Sequence, residues 1–221
     1  MDNFVILKQK LEEFIRKFYI NQLIKGGILF VGISLLYLIL LLSVEYFLWL
    51  NPLGRTIMFW SFVSVSVFLI CKFLIIPLFN LFRISKGINY TDASKMIGSH
   101  FPQVNDKLLN VLQLKNNSEE TELLIAGINQ KIKEMEPVPF KSAVDFSGNM
   151  KYAKFAVFPL LIVLLIYISG NINIFSESYK RVVNYEMAYA PPAPFAFFLL
   201  NSDLNVEENS SFTIFVEVKG D

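Results

Sequence analysis

The stretch that decides the fold is Phe155-Ala-Val-Phe-Pro-Leu-Leu-Ile-Val-Leu-Leu-Ile-Tyr-Ile-Ser-Gly-Asn-Ile-Asn-Ile174. It carries no charged residue, and Lys151 and Lys154 precede it. As a helix rising about 1.5 Å per residue, it is long enough to cross the roughly 30 Å hydrocarbon layer of a membrane. The sequence before it has the patterns of helices, whereas the end of the sequence after it has the alternating pattern of strands. Residues 155–174 are therefore predicted to be a transmembrane helix that joins two unlike halves.

Two further apolar runs, Gly26–Leu50 and Thr56–Leu81, precede this stretch. The whole chain is 54% hydrophobic, which is too apolar for an ordinary soluble domain. Buried helices of a large soluble core are the alternative, but 221 residues cannot wrap three helices that are apolar all round. The sequence predicts a mainly α integral membrane protein with three transmembrane helices, the first two forming a hairpin over residues 26–81.

The distribution of Lys and Arg predicts the orientation. Residues 1–25 and 82–154 together carry 15 of them, whereas residues 51–55 and everything after Phe175 carry four. By the positive-inside rule, the N-terminus and the middle segment are expected in the cytoplasm and the C-terminal tail outside. The tail holds seven acids against three bases, so no nucleic-acid partner is expected.

Residues 1–25 have the period of one apolar helix face among basic residues. We expect an amphipathic interfacial helix whose apolar face sinks into the lipid. The alternative is a docking helix that packs on a partner or on the middle segment. The apolar positions are Phe4, Leu7, Leu11, Phe14 and Phe18.

Asn51-Pro-Leu-Gly-Arg55 reads as a tight turn between the first two spans. Glu45 is expected near the outer surface and Lys72 near the inner one, so the two should not pair and each should snorkel to its own interface. Small residues on both helices predict close helix approach. These are Gly27, Gly32, Ser34 and Ser43 on the first span and Ser61, Ser64 and Ser66 on the second.

Residues 82–154 are predicted to be a small cytosolic helical domain. Thr91 or Asp92 is expected to cap a helix that ends near His100, and Asn105 or Asp106 to cap the next, over residues 107–114. Pro77, Asn80 and Arg83 are expected to end the second span before it. Ser118 is expected to cap a third helix with three Glu in its first turn. The inner stripe of that helix is Leu124, Ile128, Ile132 and Met135, and its acids are Glu119, Glu120 and Glu122.

Residues 175–194 are predicted to be an extracytoplasmic linker that continues as a helix over 175–186 and stiffens at Ala190–Pro194. Residues 195–221 then change to a period of two, with Leu204 and Val206 in one strand, a turn over 207–210 and a half-buried strand containing Phe212, Ile214, Val216 and Val218. We interpret them as the first strands of an immunoglobulin-like β-sandwich. Such a sandwich needs about seven strands and about 100 residues, so we expect a longer chain or a partner that completes it.

The sequence contains no convincing catalytic, cofactor or metal motif. Cys71 is the only cysteine and His100 the only histidine, so neither a disulfide nor a Cys/His metal set can form within the chain. His100 near Asp106 suggests a base with its orienting acid, but no nucleophile motif accompanies it. We therefore expect no enzyme activity, no catalytic or metal-binding residue, no cofactor and no small-molecule substrate.

Thr91-Asp-Ala-Ser-Lys-Met-Ile-Gly-Ser-His-Phe-Pro-Gln-Val-Asn-Asp-Lys-Leu-Leu-Asn-Val-Leu-Gln-Leu114 resembles a recurring cytosolic stretch of one protein family. That family comprises large bacterial inner-membrane proteins with a domain of unknown function, typical of Bacteroidota-type envelopes. The resemblance implies a membrane hairpin, a cytosolic insert, a third span and a long extracytoplasmic region of β-domains. It implies no catalytic residue.

These observations predict a non-enzymatic anchor or scaffold of the bacterial inner membrane, acting in envelope biogenesis. The alternative is an accessory subunit of a protein-translocation or envelope-assembly complex, with the small residues of the first two spans as its interface to other membrane proteins. A transporter or channel is disfavoured because no ionisable residue lies near mid-membrane.

Overall fold

A computed structural model describes residues 3–117, 121–170, 172–191, 195–201, 204, 205, 208 and 210–220. This part of the chain is mostly helical, with a short two-stranded sheet near the C-terminus. The helices are α1 (Asn3–Leu48), α2 (Pro52–Ile70), α3 (Ile76–Leu81), α4 (Tyr90–His100), α5 (Asn105–Asn117), α6 (Glu122–Met135), α7 (Met150–Ile168) and α8 (Ile172–Val183). The strands are β1 (Phe195–Leu199) and β2 (Val216–Gly220).

Three helices are long and apolar enough to cross a membrane: α1, the continuous helix Pro52–Leu81, and the helical stretch that ends at Ile168. We call residues 26–48 of α1, the helix Pro52–Leu81 and α7 the apolar bundle. α1 packs against both other members along its length. The predicted count of three apolar helices is confirmed.

α1 is one unbroken helix of 46 residues, about 69 Å long at 1.5 Å per residue. Its second half belongs to the apolar bundle. Its first half packs Leu7, Leu11 and Phe14 against α4, α6 and the short 3-10 turn Phe140–Ala143, where these side chains are almost completely buried. The expectation that this face sinks into lipid is therefore wrong. The alternative, docking on the middle segment, is what the structure has.

The second apolar helix begins four residues earlier than the predicted span Thr56–Leu81 and ends at the predicted residue, Leu81. Asn51 caps it by accepting a hydrogen bond from the Gly54 amide, and Pro52 occupies the first helical position, where no N–H is needed. The tight turn is thus confined to the residues before Pro52, and Arg55 lies inside the helix. This placement corrects the prediction of a turn over residues 51–55.

Pro77 does not end this helix. The segment Cys71–Ile75 forms a π-helical turn in which the Ile76 amide bonds to the Cys71 carbonyl, five residues back. Pro77 cannot donate an amide hydrogen bond, and the wider π-helical turn just before it lets the chain continue helically to Leu81. The apolar surface therefore reaches the start of the middle segment.

The third apolar helix ends at Ile168, six residues before the predicted end of the span. Gly170 adopts φ +74°, a left-handed conformation that stops a helix and that glycine reaches without strain. α8 then starts at Ile172 as a separate helix, packed on α1 and α2. The helix predicted over residues 175–186 is thus present as far as Val183, but it is separate from the span and packs on the apolar bundle.

Residues 82–149, which we call the insert domain, fold on the first half of α1. The cap of α4 is Asn89, not Thr91 or Asp92, and its side chain accepts from the Asp92 amide at 2.7 Å. Asn105 and Asp106 lie inside α5, and residues 150–154, predicted to belong to this domain, begin α7. The predicted stripe of α6 is confirmed, with Ile128, Ile132 and Met135 buried and Leu124 partly buried.

Thr121 caps α6 by accepting from the Leu124 amide. The cap predicted at Ser118 lies outside the described residues, as do Glu119 and Glu120. Glu122 is the first residue of the helix, where a carboxylate complements the positive end of the helix dipole.

β1 and β2 pair antiparallel, with Phe195 opposite Gly220 and Leu199 opposite Val216. Leu204, Phe212 and Ile214 lie outside the strands, which corrects the prediction that strands contain them. Val206 lies outside the described residues, as does part of the predicted turn over 207–210 and the Pro192–Pro194 portion of the linker. The predicted last strand is present only as β2, which contains Val216 and Val218. Every apolar side chain of the two strands is exposed, so the predicted half-burial is wrong and the ribbon has no core of its own.

Candidate functional site

A fully buried carboxylate, Glu45, lies near the C-terminal end of α1. Its Oε1 accepts from Arg55 Nε at 2.8 Å and from Arg181 Nε at 3.1 Å. Arg55 stands in the first turns of α2 and Arg181 in the last turn of α8. Three helices thus meet at one carboxylate oxygen, and we call these three residues the ion cluster.

Aromatic rings and neighbouring acceptors hold both guanidinium groups. Arg55 lies 4.9 Å from the ring centre of Tyr189 and donates to the Met187 carbonyl at 3.0 Å. Arg181 lies 4.1 Å from the ring centre of Trp49 and donates to Ser178 Oγ at 3.2 Å. Cation–π contacts of desolvated guanidinium groups strengthen with burial. The segment after α8 is therefore fastened to the start of α2.

The ion cluster is not balanced in charge, because two buried cations face one buried anion. The nearest further acid, Glu177, has its Oε2 3.9 Å from Arg181 Nη1 and is mostly exposed. Glu45 Oε2 and Arg55 Nη2 are buried without a hydrogen-bond partner among the described residues. Removing Glu45 would leave two buried guanidinium groups without an anion, which is strongly unfavourable.

The expectation that Glu45 snorkels to an interface is wrong. Its two partners come from segments that the sequence assigned to a turn and to a linker, so neither arginine was a visible partner. Lys72 is not part of the ion cluster. Its Nζ lies 5.8 Å and 5.7 Å from the ring centres of Phe68 and Phe73, and its predicted snorkelling stays a prediction.

Gly26 and Gly32 allow α1 to pack closely against the other helices of the apolar bundle. A Cβ at Gly26 would collide with the Phe73 carbonyl, and one at Gly32 with the Phe155 carbonyl. A Cβ at Gly27 would meet nothing within 4 Å. Tyr37 donates to Ser61 Oγ at 2.9 Å, which ties the first two apolar helices together as predicted for Ser61. Close approach within the chain is therefore confirmed at Gly32 and Ser61, whereas Gly27 has open space beside it and Ser64 is exposed.

A second polar group lies at the other end of the apolar bundle, where the insert domain begins. Glu12 Oε1 accepts from the Tyr90 hydroxyl at 2.8 Å and from Arg83 Nη1 at 3.3 Å. Burial raises the pKa of Tyr90, and its hydrogen bond to Glu12 adds to that rise, so the hydroxyl stays a donor. The buried Tyr19 hydroxyl accepts from the Ile88 amide at 2.7 Å nearby.

Neither polar group has the geometry of a catalytic centre. Within the described ranges, no group of three or more His, Cys, Asp or Glu side chains could hold a metal ion. The His100 ring packs edge-on against Phe101, with ring centres 4.8 Å apart, and Cys71 is exposed on the π-helical turn. What the ion cluster can do is hold three helices in one arrangement.

No family model, curated protein or solved structure matches this chain. The role of the ion cluster therefore has to be argued from its own geometry.

Proposed function

We propose that this protein is a non-enzymatic anchor and scaffold of the bacterial inner membrane, acting in envelope biogenesis. The observation that carries the proposal is the unbroken helix α1. Its first half is the central element of the insert domain, its second half belongs to the apolar bundle, and Glu45 near its end holds α8. One continuous helix thus connects the two ends of the apolar bundle. This arrangement suits a scaffold that holds other domains in place.

In this proposal the insert domain lies in the cytoplasm and the β-ribbon in the periplasm, as the distribution of Lys and Arg favours. The ion cluster then sits at the periplasmic end, where it fixes the segment that leads to the ribbon. The exposed apolar side chains of β1 and β2 support a role in presenting a β-domain, immunoglobulin-like in our interpretation, that further strands complete.

An accessory subunit of a translocation or envelope-assembly complex remains the second candidate. Its sequence support was the small residues of the first two apolar helices. Gly26 and Gly32 contact other helices of this chain, whereas a Cβ at Gly27 would meet nothing within 4 Å. The scaffold is therefore the better supported of the two.

The test combines topology with extraction. Alkaline phosphatase fused after Asp221 should be active and fused after Asn116 inactive, whereas a fluorescent protein after Asn116 should fluoresce. The protein should stay in the membrane fraction after washing with alkaline carbonate. Release by carbonate would overturn membrane insertion, and the reverse fusion pattern would overturn the orientation. Mass spectrometry of proteins that copurify in mild detergent would separate the scaffold from the accessory subunit, since a subunit should bring fixed amounts of other membrane proteins.

A further inference from the structure

A cavity of about 300 Å³ lies between α1 and the segment that leaves α3. Tyr19 of α1, Asn80 of α3, Arg83 and Asn89 are among the residues that line it. It is open to the surroundings, and most of the named side chains are polar. Neither the ion cluster nor the scaffold proposal uses it.

The cavity lies where the apolar surface of the bundle gives way to the polar insert domain. Gly26 packs on Phe73, and Tyr19 and Asn80 each lie seven residues beyond that crossing, about 10 Å along their helices. Exposed apolar side chains continue past the end of α3, at Phe82 (67% exposed) and Ile84 (69% exposed). With the bundle in a membrane, this level is the headgroup layer of the leaflet on the insert side.

Arg83 stands between these two apolar side chains. Its φ of +57° is a left-handed conformation that is unfavourable for a non-glycine residue, and its side chain lines the cavity. The Arg83 side chain is 55% exposed. Arg83 Nη1 donates to Glu12 at 3.3 Å, which is long for a charge-assisted bond.

Hydrogen-bond donors at the cavity suit an anion. Glu12 is the acid that faces Arg83, and it already accepts from Tyr90 at the shorter distance of 2.8 Å. Asn80 uses its Oδ1 to accept from Ser85, which leaves its Nδ2 as a donor. A guanidinium group has five N–H donors in a planar fork that matches phosphate. Lys86, three residues beyond Arg83, adds another exposed cation.

We infer that this cavity binds the phosphate of an anionic phospholipid headgroup. Arg83 donates to the phosphate oxygens, Asn80 adds a donor at the wall, and Phe82 and Ile84 lie beside the acyl chains. The flanking apolar side chains favour a lipid over a soluble phosphate, since a soluble anion gains nothing from them. The inference rests on the proposed membrane insertion.

The experiment uses the full chain in phosphatidylcholine nanodiscs that contain a minor fraction of phosphatidylglycerol. Native mass spectrometry measures the fraction of protein that retains phosphatidylglycerol. Arg83→Gln should weaken retention about fivefold, as expected for one cation at the membrane surface. Arg83→Lys should keep most of it. Arg16→Gln is the matched control, because Arg16 is an exposed arginine at the same level of α1 that does not line the cavity.

Each outcome decides the inference. Equal loss in Arg83→Gln and Arg16→Gln would mean general attraction to the leaflet and would overturn a defined site. Displacement of the lipid by millimolar inorganic phosphate would overturn the choice of lipid. If Arg83→Gln does not fold, equal retention of phosphatidylglycerol and phosphatidylcholine by the unmodified protein would overturn the inference. Release of the protein by carbonate would instead mean that membrane insertion itself fails.

Discussion

Glu45 is the residue whose role depends most on its surroundings. Alone on a helix it reads as a carboxylate near a membrane surface, but here two arginines from α2 and α8 share one of its oxygens. Burying three charged groups costs several kcal/mol each unless they pair. Glu45 supplies the one negative charge of the ion cluster, so the pairing of both arginines depends on it.

Replacement of Glu45 by Gln should destabilise the protein by about 3–5 kcal/mol, because it leaves two buried guanidinium groups without an anion. Unfolding in mild detergent, followed by the fluorescence of Trp49 and Trp60, measures the change. Glu177→Gln is the control, since this mostly exposed acid should contribute only about 0–1 kcal/mol. Equal effects of the two changes would show that the carboxylate of Glu45 is solvated.

At the scale of helices, close approach of backbones holds the apolar bundle together. α1 brings Gly26 against the helix Pro52–Leu81 and Gly32 against α7, each in contact with a carbonyl of its neighbour. Helices in a membrane have no hydrophobic force between them, so they depend on such van der Waals contact. Tyr37 and Ser61 add one hydrogen bond across the same interface.

Alanine substitutions at Gly26 and Gly32 should lower the stability of the protein, whereas the same substitution at Gly27 should raise it. Gly26→Ala and Gly32→Ala should each destabilise by about 1–3 kcal/mol, because the added methyl group forces the helices apart. Gly27→Ala should stabilise by up to about 1 kcal/mol, since it meets open space and alanine is the better helix former. Thermal unfolding in one detergent compares all three variants. Loss of stability in Gly27→Ala would contradict the packing described for this turn.

At the scale of the whole molecule, α1 makes the insert domain and the apolar bundle one unit. The core of the insert domain includes Leu7, Leu11 and Phe14 of α1 together with side chains from α4, α5 and α6. A domain of this size buries too little apolar surface on its own to be stable without such a contribution. The domain therefore folds around a helix that continues into the bundle.

Leu11→Ala should destabilise the insert domain by about 2–5 kcal/mol, as expected for a fully buried leucine. Limited proteolysis should then cut α4 to α6 faster, while the apolar bundle stays protected. Val5→Ala on the exposed face of α1 should change the free energy of unfolding by no more than about 0.5 kcal/mol. Unchanged protease sensitivity in Leu11→Ala would mean that the domain does not depend on α1.

Local pattern predicted the elements that depend on neighbours in sequence. The three apolar helices and the inner stripe of α6 follow from hydropathy and from a period of 3.6 residues. Helix boundaries depend on competing local signals. Asn89 caps α4 in place of the predicted Thr91 or Asp92, and the second apolar helix passes Pro77, after a π-helical turn, to end between Asn80 and Arg83.

By itself, the sequence determined the number of apolar helices, the amphipathic face of residues 3–24 and the absence of a recognisable catalytic motif, since each is a property of neighbouring residues. Only the tertiary structure decided that this face packs on the insert domain and that Glu45 pairs with Arg181, 136 positions away. Apolar surface can be covered equally by lipid or by protein, and a carboxylate can be solvated or paired. Whether lipid or protein covers the apolar face, and whether the carboxylate is solvated or paired, depends on which segments pack together. The local sequence pattern does not determine this.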